Sequence, residues 1–229
     1  MQSVSNTYRQ LWNAGARTES RLLINDVEYI GDNLIELKTS MSAFGQYGNM
    51  TIGKAPSRMM TARVRWQGET IPDRALCQPQ IRLTDGTTHS EWLSKGLFYI
   101  DTKTPDYLHT YLDITAYDAL MTAEAPYGYT ALNFPALARD VMDEIAGKLG
   151  VDVDSRTYEY MTTGWAVASV EDMTLREVLG EIAGLYLGCF VMSDVGELLL
   201  ISMRNAPATR VLGDNSGNAI SVGGVLIGV

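Results

Sequence analysis

The side chains best suited to nucleophilic or metal chemistry in this 229-residue chain are two cysteines, Cys77 and Cys189, and two histidines, His89 and His109. The cysteines stand 112 positions apart, with no CxxC spacing and no histidine beside either. That spacing supports neither a zinc cluster nor a disulfide framework, and both thiols read as reduced and buried. The histidines lie beside predicted strands and lack a serine or cysteine nucleophile motif, so neither belongs to a triad. Asp113 and Asp118 in "YLDITAYDAL" stand an odd number of positions apart, which puts them on opposite faces of a continuous strand and away from one substrate atom.

Two further stretches invite a ligand. Asp152 and Asp154 in "DVDSRTYEY" share a face if extended, and two carboxylates on one face suit a hard cation; the stretch lacks the glycine and distal acid of an EF-hand, which favours a solvated loop. "GQYGNMTIGKAP" (45–56) carries Gly45, Gly48, Gly53 and Lys54, yet it has no GxxxxGK[ST] spacing with which to cradle phosphate. It reads as a long hairpin loop reaching to a partner, and Phe44, Gln46, Tyr47, Asn49, Met50 and Lys54 are the candidate subunit-contact residues. No residue is assigned to catalysis, to a cofactor or to a metal.

The elements that must position these residues divide the chain in two. From Ser20 to Tyr117, short strands alternate with turn signals. "SRLLINDVEYI" predicts two strand pieces around an Asn25–Asp26 turn, and "SRMMTARVRW" alternates, with Met60, Ala62, Val64 and Trp66 on one face. Segments 75–86, 91–103 and 107–120 continue the pattern, so an antiparallel β-barrel is expected over residues 1–122, with Trp66 and Trp92 in its core. In "SEWLSKGLFYIDT" a strand extended throughout places Trp92, Ser94, Gly96, Phe98 and Ile100 on one face, and Gly96 allows a bulge.

Residues 123–134, rich in Gly, Pro and Tyr, read as a linker, and residues 135–229 as a small α+β domain. Pro135 suits the first position of a helix whose apolar stripe is Ala138, Val141, Met142, Ile145 and Leu149, closed by Gly150. Thr174 and Glu177 form a capping box before the stripe Leu175, Val178, Leu179, Ile182 and Tyr186, with a stop at Gly188. "CFVMSDVGELLLISMR" then predicts a hairpin around Asp194 to Gly196. The Gly- and Asn-rich tail ends on the apolar "GGVLIGV", which is expected to pair with a later part of the chain or with another subunit.

Charge limits the partners. The net charge is −9; residues 1–120 hold 12 Lys/Arg and 13 Asp/Glu, whereas 121–229 hold 6 and 14. Clustered cations are what bind phosphate, so an acidic second half argues against a nucleic-acid surface. No apolar run approaches the ~18 residues of a membrane helix, and the first residues lack the pattern of a secretory signal, so synthesis and folding in the cytoplasm are expected.

The order of features resembles the N-terminal portion of phage and prophage tail baseplate hub, or tail-tip, proteins. The W-x-x-x-G-x-[FY]-x-[IV]-D strand of that family is matched by Trp92, Gly96, Phe98, Ile100 and Asp101, and its tyrosine–aspartate strand end by Tyr117, Asp118, Ala119 and Leu120. Arg139, Asp140, Val141 and Ile145, then "TLREVLGEIA", match its small α/β domain. The resemblance implies a tail-tube-like barrel and a homotrimeric ring joining the tail tube, or a distal tail protein, to spike, fibre or lysin modules, with DNA passing through the lumen unbound. It implies a virion structural protein without enzymatic activity, cofactor or membrane partner. A tail-associated cell-wall hydrolase or carbohydrate-binding module is the alternative; the first needs a Cys/His pair, a zinc site or a placed glutamate.

Overall fold

The computed structural model describes residues 4–41, 52–66, 68–108, 110–202 and the paired strands at 221–222 and 225–226. The chain forms two compact units, one of residues 1–42, 57–122 and 192–197, the other of residues 43–56, 123–191 and 198–229.

The first unit opens with helix α1 (Asn6–Asn13), N-capped by Ser5, whose side chain accepts from the Tyr8 amide. Eight strands follow: β1 (Arg17–Ile24), β2 (Val27–Ile30), β3 (Leu34–Met41), β4 (Arg58–Arg65), β5 (Leu76–Thr84), β6 (Leu93–Ser94), β7 (Phe98–Pro105) and β8 (Tyr111–Tyr117). They make one antiparallel sheet in the order β2-β1-β5-β7-β8-β4-β3, with β6 beside β5. The β1–β2 turn is the expected Asn25–Asp26 pair, with φ of 45° and 68° and Ile24 opposite Val27, the left-handed geometry that a two-residue hairpin requires.

The expected closed barrel is not formed: the ladder is open, and its end strands β2 and β3 do not pair among the described residues. They are joined in sequence by a single 3-10 turn, Gly31–Asn33. All seven strands of the path nevertheless line one core, with Leu22, Ile24, Tyr29, Met60, Val64, Cys77, Phe98, Ile100, Leu112 and Ile114 buried and Leu34 and Leu37 packed against them. A flat sheet of seven strands would separate its edges by about 29 Å, so a core shared by both edges requires the sheet to curl on itself. A register shift at Ile35 adds bend at one end of β3.

The second unit contains β9 (Ala136–Leu137), α2 (Ala138–Leu149), α3 (Ser155–Tyr160), β10 (Ala166–Val167), α4 (Leu175–Leu185), β11 (Gly188–Met192), β12 (Leu198–Ser202), β13 (Ser221–Val222) and β14 (Val225–Leu226). Helix α2 buries Ala138, Val141, Met142 and Ile145 and ends on Gly150 at φ 70°, as its stripe and glycine predict. Its start differs from expectation. Pro135 follows a cis peptide bond and lies outside the helix, because Ala136 and Leu137 pair with Val167 and Ala166 first.

Helix α4 carries the predicted capping box: the Glu177 amide donates to Thr174 Oγ1 at 3.2 Å, and the Thr174 amide donates to Glu177 Oε2 at 2.8 Å. Burying Val178, Leu179 and Ile182 completely contributes roughly 1.5–3 kcal/mol each, more than the cap's ~1 kcal/mol. The helix stops at Leu185, before the predicted Gly188, where Leu187 takes a left-handed φ of 52°. Strands β11 and β12 form the expected hairpin. Asp152 to Thr157 flanks β12: the Leu198 amide donates to Asp152 O at 2.8 Å, and the Leu200 amide to Thr157 Oγ1 at 3.0 Å.

Candidate functional site

Of the candidate contact residues, Phe44, Gln46, Tyr47, Asn49 and Met50 lie outside the described residues; Lys54 lies within them and is exposed. Its backbone forms a parallel bridge with Cys189. The Gly53 amide donates to Gly188 O at 2.8 Å, and the Phe190 amide donates to Lys54 O at 2.9 Å. Gly53 also lies against α4, where a Cβ added to Gly180 would come within 2.9 Å of Gly53 O. Arg176 closes the arrangement by donating to Ala55 O and Glu124. The end of the loop is therefore bridged through its backbone to β11 of the hairpin.

The carboxylates separate as their spacing predicts. Asp118 is buried; its Oδ2 accepts from the Arg58 amide at 2.8 Å and its Oδ1 from the Leu120 amide at 3.1 Å. Asp113 sits on the outer face of β8, 3.7 Å from Arg63. Asp154 does not lie in the solvated loop favoured from the sequence; it is buried as the N-cap of α3, a helix that the sequence reading missed. Its carboxylate accepts from the Arg156 amide at 3.0 Å and from Arg156 Nε at 2.8 Å, and these bonds hold its pKa below the usual carboxylate range. His89 is exposed, with Nδ1 3.8 Å from Glu19, and His109 lies outside the described residues.

Both thiols are buried, and burial pushes Cys77 up to about 12 and Cys189 in the same direction. Burial thus favours the protonated, less reactive form of both thiols. Among the described residues, no three His, Cys, Asp or Glu side chains converge as a metal site.

The polar constellations that the structure does assemble hold backbone rather than substrate. Arg58, on β4, donates to Lys95 O at 2.8 Å, Asp194 Oδ1 at 3.0 Å and Met192 O at 3.4 Å, with its guanidinium 5.6 Å from the centre of the Phe98 ring. Lys95 reaches the other oxygen of Asp194 at 3.7 Å. This cluster binds the 192–197 turn within the first unit, and two glycines make room for it. Gly96, at φ 126°, would put a Cβ 2.6 Å from the Phe98 ring, and Gly196, at φ 85°, would put one 2.5 Å from Leu97. No sequence signal singles out Arg58, since its spacing is that of any outward residue on an alternating strand.

Gly96 also breaks the expected strand into β6 and β7, which resets the alternation. Phe98 and Ile100 enter the core as predicted, but on the far side of the break it is Leu93, not Trp92, that is buried. Trp92 instead receives two guanidiniums, those of Arg21 and Arg82, 4.3 and 4.5 Å from its ring centre. Arg21 is bound by Glu28 and Gln80, and Arg82 by Glu19. The ladder braces the outer face of β1 and β5 with its charges internally matched.

No protein-family model and no curated protein matches the chain. Solved structures do. The 43 kDa tail protein of prophage MuSo2 from Shewanella oneidensis superposes with a TM-score of 0.55 at 14% identity, over 90% of this chain and 61% of that one. A tail protein from Neisseria meningitidis MC58 gives 0.52 at 12% identity, over 88% of this chain and 57% of that one. The chain spans about three-fifths of the length of these structures, and what it shares with them is the fold.

Proposed function

We propose that this chain is a structural component of a phage or prophage tail, working through protein–protein contacts. The observation that carries the reading is a fold shared along nine-tenths of the chain with tail proteins from two different bacteria. Within that reading it is a hub, or tail-tip, subunit: a homotrimeric ring in the virion that joins tube or distal tail protein to spike, fibre or lysin modules. The layout from Trp92 to Asp101 and from Tyr117 to Leu120 supports the hub assignment. The 6 to 14 imbalance of basic to acidic residues over 121–229 suits a lumen that lets DNA pass without holding it.

In this role the 43–50 segment supplies a head-to-tail contact between subunits, since heterologous interfaces close rings by rotation. The backbone of Gly53 and Lys54 is bonded to β11, so the informative variant replaces 43–50 alone with a short glycine-serine link. Its expected behaviour is a folded monomer that fails to enter rings. Mass measurement in solution, with immunogold labelling of virions, tests the whole reading. A particle assembled and infectious without this protein, or a label found away from the tail, would overturn it. A cell-wall turbidity assay is expected to show no lysis by the purified chain, and clearing would favour a hydrolase.

A further inference from the structure

One end of the second unit presents a run of uncovered apolar side chains. Leu137 and Leu187 are about half exposed, and Trp165, Leu185 and Ile201 only slightly less. Backbone and side-chain bonds gather them. The Ala138 amide donates to Trp165 O at 2.8 Å, and a Cβ on Gly164 would lie 4.0 Å from Leu137. Tyr186 Oη donates to Thr163 O at 2.6 Å, and Ser202 Oγ donates to Tyr186 O at 2.7 Å. The end of α4, the 163–165 loop and the last residues of β12 thus meet at one place. Apolar area of this kind marks a surface that something covers.

The same unit contains an element in need of a surface. Among the described residues, strands β13 and β14 pair only with each other, Ser221 opposite Leu226 and Val222 opposite Val225. Residues 215–229, "NSGNAISVGGVLIGV", carry no charge. A two-stranded hairpin alone is marginal in water, and one this short and apolar needs a face to pack on.

We propose that the β13–β14 hairpin of this same chain is the element that covers the Leu137, Trp165, Leu187 and Ile201 face. The tether is short and begins at the face itself. Ile201 is part of the patch, and 18 residues separate Ser202 from Ser221. A chain of 18 residues reaches up to about 60 Å, enough to return the hairpin to a face that begins at its own anchor, and a tether of that length gives an effective concentration near ~1 mM, above what a second copy reaches at ordinary protein concentrations. The occupant is thereby chosen by connectivity as well as by apolar character. This inference does not depend on the tail reading, because it concerns the packing of one unit.

Hydrogen exchange followed by mass spectrometry tests it on the full chain. The forms compared are the native sequence, Val225→Asp with Leu226→Asp, and a chain ending at Ser202, each at low and high protein concentration. Exchange across 163–167 and 185–188 is expected to be at least about tenfold faster in both altered forms, with α2 unchanged as the internal reference. A peptide of residues 215–229 added to the shortened chain is expected to restore protection, which also separates loss of cover from loss of folding. Unchanged exchange in the altered forms overturns the proposal and leaves the face to a different partner. Protection that rises with concentration alongside a dimer mass overturns it in favour of a second copy.

Discussion

Replacing Arg58 by alanine asks how much of the first unit's stability rests on one guanidinium holding the 192–197 turn. The side chain is 14% exposed, so its bonds are partly shielded from water. The bond to Lys95 O at 2.8 Å has a charged donor and is worth roughly 1.5–3 kcal/mol net. The pair with Asp194 is worth less, because that carboxylate is 38% exposed, and about 0.5–1 kcal/mol is appropriate. The Phe98 ring at 5.6 Å adds about 0.5 kcal/mol, and the Met192 carbonyl at 3.4 Å little. The alanine variant should therefore lose about 3 kcal/mol. In a chain of this size each kcal/mol moves Tm by about 3 °C, so Tm should fall by about 10 °C. Lysine cannot fork to Lys95 O and Asp194 together, and Arg58→Lys should lose about half as much. Urea unfolding read by tryptophan fluorescence is the assay, since Trp12, Trp66 and Trp92 all lie in the first unit. A double-mutant cycle with Asp194→Asn should give a coupling near 0.5–1 kcal/mol. A loss below about 1 kcal/mol for alanine, or no difference between lysine and arginine, would refute the assignment of Arg58 as the clasp of this turn.

Gly96→Ala combines a left-handed φ of 126° with a Cβ 2.6 Å from Phe98, and should cost about 2–4 kcal/mol in the same unfolding assay; a neutral outcome would mean that the ring moves aside freely. Cys77, with its thiol pushed up to about 12 by burial, should resist a thiol reagent at mildly alkaline pH until urea exposes it, and prompt labelling of the native chain would contradict that burial. Asp154 has a folded pKa below its unfolded one because of Arg156, so its stabilising effect is present above the unfolded value and is lost as pH falls through the folded value. Asp154→Asn should therefore lower stability at neutral pH and flatten the acid limb of the stability curve below about pH 4; parallel curves for the two proteins would show the cap to be electrostatically idle.

The parts of the fold that were legible in the sequence are those decided locally. Asn25–Asp26 forms its turn, Met60, Ala62 and Val64 enter the core on alternation alone, and Thr174 with Glu177 caps α4. In each case the energy comes from neighbours a few residues away, which a spacing rule can see. The misreadings share the opposite cause. Trp92 was expected inside because alternation was carried across Gly96, and the break there exists to clear Phe98 and Arg58. Pro135 was expected to open α2, but Ala136 and Leu137 are claimed by a strand pair with residues 166–167. Asp154 as a helix N-cap was hidden because α3 is only six residues long, too short to show a stripe.

Closure of the barrel depends on the same distinction. Alternation dictates that every strand has an inner face, and all seven strands of the ladder do line one core. Nothing in alternation dictates whether the last strand finds the first. That depends on how far the chain bends between β2 and β3, and here three residues, Gly31–Asn33, make the bend. Among the described residues the edges are neighbours in sequence but not a paired ladder. The same economy operates in the second unit, where a loop from between β3 and β4 bridges Lys54 to β11. Its place is set by glycines: Gly53 against Gly180 and Gly184 allows the backbone to lie on α4, and a methyl at Gly180 would displace it. Gly53, in a stretch whose glycines suggest a contact loop, is thus required by packing within its own unit.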